Sequence, residues 1–246
     1  MLSSASTKLS LVMPVYNEQN TLREIVEKVV NALAGIDFEL IMVDDQSVDN
    51  SYTLMQELRK KFGERIKLLQ KEHSGKSQTV KKGILVSTGD FVVIQDADLE
   101  YEPADLPEMF EKIQAEKLDV LYGNRFGKKN EVVYFQNWIG NSALSLFSAV
   151  ITGLRANMWP RDMEVGYKMA KGDLFRRLAT TLTATTNFGF EPEITAKFSK
   201  ITGVRFAQVP IHYYPRTVAE GKKMIAVKHG VEALTEIIRY NFFSKQ

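Results

Sequence analysis

Between Leu9 and Tyr122 the chain alternates short apolar runs with helical patterns, and this alternation constrains the fold more than any other feature. The apolar runs are Leu9 to Val15, Phe38 to Val43, Ile66 to Leu69, Phe91 to Ile94 and Val120 to Tyr122. Short runs this apolar read as strands buried on both faces. Helical patterns fill the gaps, at about Thr21 to Leu33, Ser51 to Phe62, Gln78 to Val86 and Pro103 to Glu116. Thr21-Leu-Arg-Glu24 has the spacing of a capping box. The pattern predicts an α/β fold: a Rossmann-like, mostly parallel sheet with helices on both faces. Such sheets bind ligands beyond the carboxyl ends of their strands. The segments after Val15, Val43, Leu69 and Ile94 are therefore expected around one crevice.

The second half is less regular. A loop at Gly123 to Gln136 precedes a predicted helix from about Trp138 to Ile151. A strand at Gly166 to Met169, a helix at Pro192 to Phe198 and a strand at Val204 to Val209 follow. The last element, from about Met224 to Phe243, is an amphipathic helix with Val227, Val231, Leu234, Ile238 and Phe242 on one face. That stripe fits either packing on the sheet or lying in a membrane interface, and both readings stand open. No Pro-, Gly- or Ser-rich linker interrupts the chain, so residues 1–246 read as a single domain.

Composition removes several function classes. There is no cysteine, which excludes a disulfide scaffold, a Cys-ligated zinc site and a thiol nucleophile. His73, His212 and His229 show no metal spacing and receive no role. The net charge of +2 is too balanced for a surface that binds nucleic acid as a whole. Residues 197–246 nevertheless hold nine basic and three acidic groups, which fits an anionic partner or simply a solvated face. No run reaches the ~20 apolar residues of a membrane span, and the N-terminus has no signal-peptide pattern. The chain is expected in the cytoplasm, free or on the cytoplasmic face of a membrane.

The strand ends carry the chemistry. After the first comes Pro14-Val-Tyr-Asn-Glu18, where Tyr16 can stack on a base and Asn17 can read its edge. After the second come Asp44 and Asp45, whose mutual repulsion must be offset by ribose hydroxyls, a base N–H or a cation. Lys76, beyond the third, can approach a pyrophosphate. The fourth ends in Gln95-Asp96-Ala-Asp98-Leu-Glu100, and a D-x-D at the mouth of a parallel sheet supplies hard oxygens for Mg²⁺ or Mn²⁺. No G-x-G-x-x-G follows the first strand and no P-loop is present, which argues against dinucleotide redox chemistry and P-loop hydrolysis.

Taken in order, Pro14-Val-Tyr-Asn-Glu18, Val43-Asp-Asp-Gln-Ser47, Asp96-Ala-Asp98 and Gly123-Asn-Arg125 resemble glycosyltransferase family 2, the inverting GT-A enzymes. Later segments extend the likeness to about Lys223: Asp162-Met-Glu-Val-Gly-Tyr-Lys168, Phe188-Gly-Phe-Glu-Pro-Glu-Ile-Thr-Ala-Lys197, Val209-Pro-Ile and Arg216-Thr-Val-Ala-Glu-Gly-Lys-Lys223. These are similar to the polyprenyl-phosphate sugar synthases, of the dolichyl-phosphate mannose or glucose synthase type and their undecaprenyl counterparts. The resemblance implies a GT-A fold with a nucleotide-sugar half at about 8–122 and an acceptor half at about 123–223. It implies a nucleotide-diphosphate sugar donor of the GDP-mannose or UDP-glucose type, lined by Pro14, Tyr16, Glu18 and Asp45. Asp96 and Asp98 would stand at the metal and pyrophosphate, with Glu100 in the metal shell. Two departures bear on the donor pocket: Gln46 stands where Gly is usual, and Ser77 replaces the second Gly of a G-K-G pattern.

A lipid phosphate is anionic at neutral pH and attacks without a base, but it needs cations to approach an anionic donor. Arg125 and Arg216, expected outside the acidic cluster, are the candidates for that clamp. A salt bridge to the acidic strand ends is the competing role for Arg125. Lys222 and Lys223 read as solvated or in contact with lipid head groups. Asp162 and Glu164 match an acidic motif near the sugar and are placed at the donor or acceptor. Two alternatives remain. A soluble transferase acting on a saccharide or protein hydroxyl would need Asp162 or Glu164 as base. A non-catalytic nucleotide-sugar binding module would leave Asp96 and Asp98 unexplained.

Overall fold

The computed structural model describes residues 7–128, 130, 135–186, 189–216 and 226–243, with residues 135–138 and 226–230 described by backbone alone. Lys222, Lys223, Phe188 and the expected helix start at Met224 lie outside the described residues, as does the side chain of Val227. Among the described residues, seven strands form one sheet: β1 (Leu9–Val15), β2 (Phe38–Asp44), β3 (Ile66–Gln70), β4 (Phe91–Ile94), β5 (Val120–Asn124), β6 (Lys168–Lys171) and β7 (Phe206–Pro210). Their order across the sheet is β3-β2-β1-β4-β6-β5-β7. All pairings are parallel except those of β6, which runs antiparallel to both β4 and β5. The first residues of β6 therefore sit beside the carboxyl ends of β4 and β5, and the loop before it enters the crevice.

β1 and β2 are buried almost throughout, with Leu9 aligned on Phe38 and Val15 on Asp44. Helices α1 (Leu22–Ala32), α2 (Ser51–Phe62), α3 (Lys76–Val86) and α4 (Leu106–Ala115) connect the first five strands. α3 packs so closely that a Cβ on Gly83 would lie 2.3 Å from Val12 Cγ1. α1 starts at Leu22, where the capping-box spacing put it, but the box itself does not form. The Thr21 hydroxyl donates instead to Ala97 O at 2.9 Å, which ties the helix start to the acidic loop after β4.

The second half departs further from expectation. β6 begins at Lys168 rather than Gly166, because Gly166 belongs to the loop folded against Asp96. A helix that the sequence pattern did not announce, α6 (Gly172–Thr180), follows β6 directly. Its Gly172 lies so near Gly89 O that a Cβ would approach to 2.2 Å. α5 (Phe135–Ala156) is longer than expected and runs through two glycines, and α7 (Phe190–Ser199) is buried along its whole length.

The last helix, α8 (Ala226–Ile238), ends in a π-helical turn at Arg239–Phe243. Its stripe of Val231, Leu234, Ile238 and Phe242 faces outward, which removes the reading of that stripe as core. Ala233, Glu236, Ile237, Tyr240 and Asn241 are the described residues that face in. No helix among the described residues is long and apolar enough to cross a membrane.

Candidate active site

The crevice begins where β1 and β2 end side by side. Asp44 accepts the Ser47 N–H at 3.2 Å and Gln70 Nε2 at 3.1 Å. Asp45 is the hub of the neighbouring loop. Its Oδ1 accepts from Ser74 N–H at 3.0 Å and from Lys71 Nζ, while Oδ2 accepts the Gly75 N–H at 2.9 Å and lies 2.9 Å from His73 Nδ1. Burial opposes its ionisation, but the hydrogen bonds from Lys71 and the two amides outweigh it and hold the carboxyl below the usual range. The offset demanded by two adjacent carboxylates therefore comes from the chain itself, through Lys71 and the Ser74 and Gly75 amides, none of which was a candidate.

The other donor candidates gather here too. Pro14 lies in β1 opposite Val43. Tyr16 is exposed, with its ring centroid 4.6 Å from that of His73. Glu18 Oε2 lies 3.1 Å from the Thr21 hydroxyl oxygen, whose shorter contact is to Ala97 O. Asn17 Oδ1 accepts the Val48 N–H at 2.9 Å, so this oxygen joins two strand-end loops instead of reading a base edge. Gln46 adopts φ +62°, the left-handed region that accounts for the usual Gly at this position. Its Oε1 accepts the His73 N–H at 3.0 Å. Ser77 is buried and donates its hydroxyl to Thr186 O at 2.7 Å.

Beyond β4, acids and cations interleave. Lys76 Nζ lies 2.9 Å from Asp96 Oδ1 and 3.5 Å from Glu191 Oε1. Burial works against its charge, but Asp96 and Glu191 prevail and raise its pKa. Arg216 does not stand outside the cluster as expected. Its Nη2 is 2.8 Å from Asp98 Oδ2, its Nε 3.4 Å from Glu100 Oε1, and its N–H donates to the same Glu100 oxygen at 3.0 Å. Tyr213 donates its hydroxyl to Glu100 Oε2 at 3.0 Å. Burial, with Asp96 and Glu100 close by, pushes the Asp98 carboxyl up to about 7 despite Arg216.

Arg125 is paired within the site, but not to the strand-end acids. Its Nε and Nη2 hold Asp162 bidentately at 2.8 and 2.7 Å, its N–H donates to Oδ2 at 3.1 Å, and its guanidinium lies over the Tyr213 ring. Asp162 is fully buried. Glu164 Oε1 is buried with no hydrogen-bond partner among the described residues, and burial next to Glu191 pushes its carboxyl up. Lys168, also fully buried, donates to Met163 O at 2.8 Å and to Val165 O, fixing the loop that carries Asp162 and Glu164. Glu191, Lys168 and Tyr213 were not candidates; Glu191 and Tyr213 sit far in sequence from the strand-end residues they join, Lys76 and Glu100.

Among the described residues, no group of three or more His, Asp or Glu side chains already stands in metal-holding geometry. The donor set of Asp96, Asp98 and Glu100 still fits a hard divalent cation, because Asp98 is buried with the Asp96 and Glu100 charges close by, and crowded carboxylate oxygens are the ligands such ions take.

The profile of glycosyl transferase family 2 matches residues 10–173, the stretch that supplies Tyr16, Asp45, Asp96, Asp98, Arg125 and Asp162. The chain belongs to glycosyl transferase family 2. Among family relatives, it is 33% identical over 157 residues to a dolichol-phosphate mannosyltransferase of Pyrococcus furiosus, covering 64% of this chain and 43% of that protein. It is 27% identical over 150 residues to a dodecaprenyl-phosphate galacturonate synthase of Rhizobium johnstonii, covering 59% of this chain and 44% of the relative. The chain thus spans less than half the length of these curated relatives. In fold it is similar to glucosyl-3-phosphoglycerate synthase of Mycobacterium tuberculosis, solved with Mn²⁺, uridine diphosphate and glucosyl-3-phosphoglycerate. The TM-score is 0.69 at 16% identity, over 98% of this chain and 82% of that one. The sheet and its helices are those of a GT-A enzyme.

Proposed function

We propose that this glycosyltransferase moves a hexose, with inversion, from a nucleotide-diphosphate sugar to a polyprenyl phosphate at the cytoplasmic face of a membrane. The observation that carries the reading is Arg216 lodged against Asp98 and Glu100, a guanidinium where an acceptor phosphate would meet the donor's pyrophosphate. The prenyl-phosphate names of the relatives support it. Pro14, Tyr16, Asn17, Glu18, Asp44 and Asp45 form the nucleotide end of the donor site, and Lys76 faces the pyrophosphate. Asp96, Asp98 and Glu100 would hold Mg²⁺ or Mn²⁺, which supplies Lewis-acid stabilisation of the leaving diphosphate.

An acceptor phosphate oxygen forms the new bond to the anomeric carbon as the bond to the nucleoside diphosphate breaks, and no proton has to be removed. Arg216 offsets the repulsion between the two anions, while Arg125, its charge matched by Asp162, lies against the Tyr213 ring beside it. The hydroxyl-acceptor alternative is weakened at its base. Asp162 is held by three donors of Arg125, and Glu164 is pushed toward its neutral form. The outward apolar faces of α5 and α8 support a membrane location.

The test is to incubate the protein with GDP-mannose, UDP-glucose and related donors, a short-chain polyprenyl phosphate and Mn²⁺. Lipid-linked sugar is expected, lost in EDTA and reduced at least 100-fold in a folded Asp98→Asn variant, whose neutral amide is a poorer ligand for a hard ion. Sugar transfer to a hydroxyl acceptor with none to the lipid phosphate would overturn the acceptor assignment.

A further inference from the structure

The Asp45 carboxylate accepts from Lys71 Nζ and from the Ser74 and Gly75 N–H groups. His73 Nδ1 lies 2.9 Å from its Oδ2 and is hydrogen-bonded to its main-chain O at 3.2 Å. The donors to the carboxylate are backbone amides and a largely buried ammonium. His73 keeps 52% of its side chain exposed. Its backbone is pinned as well, since its N–H donates to Gln46 Oε1 at 3.0 Å. The result is an imidazole held from both ends with one face against Tyr16, at 4.6 Å between centroids and 32° between planes. Tyr16 follows β1 and His73 follows β3, so the loops of two strands contribute flat, half-exposed rings to one corner of the crevice.

We infer that His73 is a base-contacting residue of the donor site. Its imidazole and Tyr16 form the aromatic surface on which the nucleobase of a nucleoside diphosphate stacks, and the Asp45 main-chain O and Gln46 Oε1 hold that residue in place. The inference rests on the nucleotide-sugar reading given above. A ring fixed before the ligand arrives loses little freedom on binding, so stacking on it contributes more than stacking on a free side chain. Such contacts are sequence-tolerant because every base has a π face. The ring thus supplies affinity for the nucleoside without choosing between uridine and guanosine.

Calorimetric titration of UDP, GDP and inorganic pyrophosphate, each with Mn²⁺, tests the assignment on the intact chain. His73→Ala is expected to weaken the nucleotide that wild type binds by roughly 5- to 50-fold, the usual scale of base–aromatic stacking. Pyrophosphate, which has no base, should change less than twofold. His73→Phe keeps a ring and should stay within about threefold of wild type, whereas His73→Asn keeps a polar group near Asp45 without a ring and should match His73→Ala. Unchanged nucleotide affinity in His73→Ala overturns the inference. So does an equal loss of pyrophosphate, which would make His73 only a brace for its loop. His73→Phe as weak as His73→Ala would overturn the stacking contact. A wild-type protein that binds neither UDP nor GDP would instead defeat the donor reading itself, a result distinct from any variant failing beside a competent wild type.

Discussion

Arg216 holds the carboxylate oxygens that a divalent cation would take, so guanidinium and metal ion compete for Asp98 Oδ2 and Glu100 Oε1. Removing the arginine should therefore move two quantities in opposite directions. Arg216→Ala is expected to tighten Mn²⁺ binding roughly three- to tenfold, the scale of losing one partly exposed ion pair. The acceptor-dependent rate should fall roughly 10- to 100-fold, because a charge-assisted phosphate contact is lost. Arg216→Lys should recover only part of that rate, since an ammonium cannot reproduce the fork. Mn²⁺ titration beside acceptor kinetics checks both; a rate that stays at wild-type level would remove Arg216 from the clamp. At this scale the acids were legible, because Asp44, Asp45, Asp96 and Asp98 directly follow apolar strands. Their partners were not. His73 and Lys71 are single residues on a loop, and Arg125 meets Asp162 across 37 positions, so no local spacing could announce that the clamp candidate and the base candidate neutralise each other.

The strands were read to within a residue or two because burial on both faces removes the polar alternation that blurs a strand's limits. α3 records how tightly those strands are covered. Gly83→Ala would force a Cβ to within 2.3 Å of Val12 Cγ1, and the expected cost is about 1–3 kcal/mol, read from urea denaturation. A wild-type midpoint would mean that α3 shifts freely over the sheet. Glu39, an acid inside the apolar β2, gives the sheet a pH dependence. Burial would raise its pKa, yet Lys67, Ser10, the Thr88 N–H and Lys8 together bring it down to about 2. A folded-state value below the ordinary 4.5 stabilises the fold at and above that pH, and the contribution disappears as pH falls toward 2. Glu39→Gln should therefore be less stable than wild type at pH 7, with the two converging as pH approaches 2; a constant gap would assign the loss to packing. α6 escaped the sequence reading because its nine residues begin at a glycine whose placement against Gly89 O is a tertiary contact, not a local helix signal.

Across the whole molecule, polarity is inverted on one side. α5 turns Ser145, Ser148, Thr152 and Gly153 inward, with Thr152 Oγ1 donating to Met158 O at 2.7 Å and Gly153 closed over by the Trp159 ring. It turns Leu146, Phe147, Val150 and Leu154 outward, and Leu154 is 79% exposed. α8 packs beside it with the same inversion. Asn241 faces in and accepts from Arg155 Nη1 at 3.0 Å, while Phe242 and Phe243 are 60% and 80% exposed. A helix of a water-soluble surface does the reverse, and α5 carries no acidic residue at all. Two adjacent helices built this way suit a lipid surface, where each inserted Leu or Phe contributes up to about 1.5–3 kcal/mol and basic residues meet anionic head groups. The chain is therefore expected to co-sediment with anionic vesicles. Leu146→Glu with Phe242→Glu should reduce that binding at least 100-fold while leaving Tm within a degree or two, because neither side chain supports the core. Vesicle binding that survives both substitutions would place the contact elsewhere. A chain that ignores vesicles but doubles its mass in sedimentation would mean that a second copy covers this face.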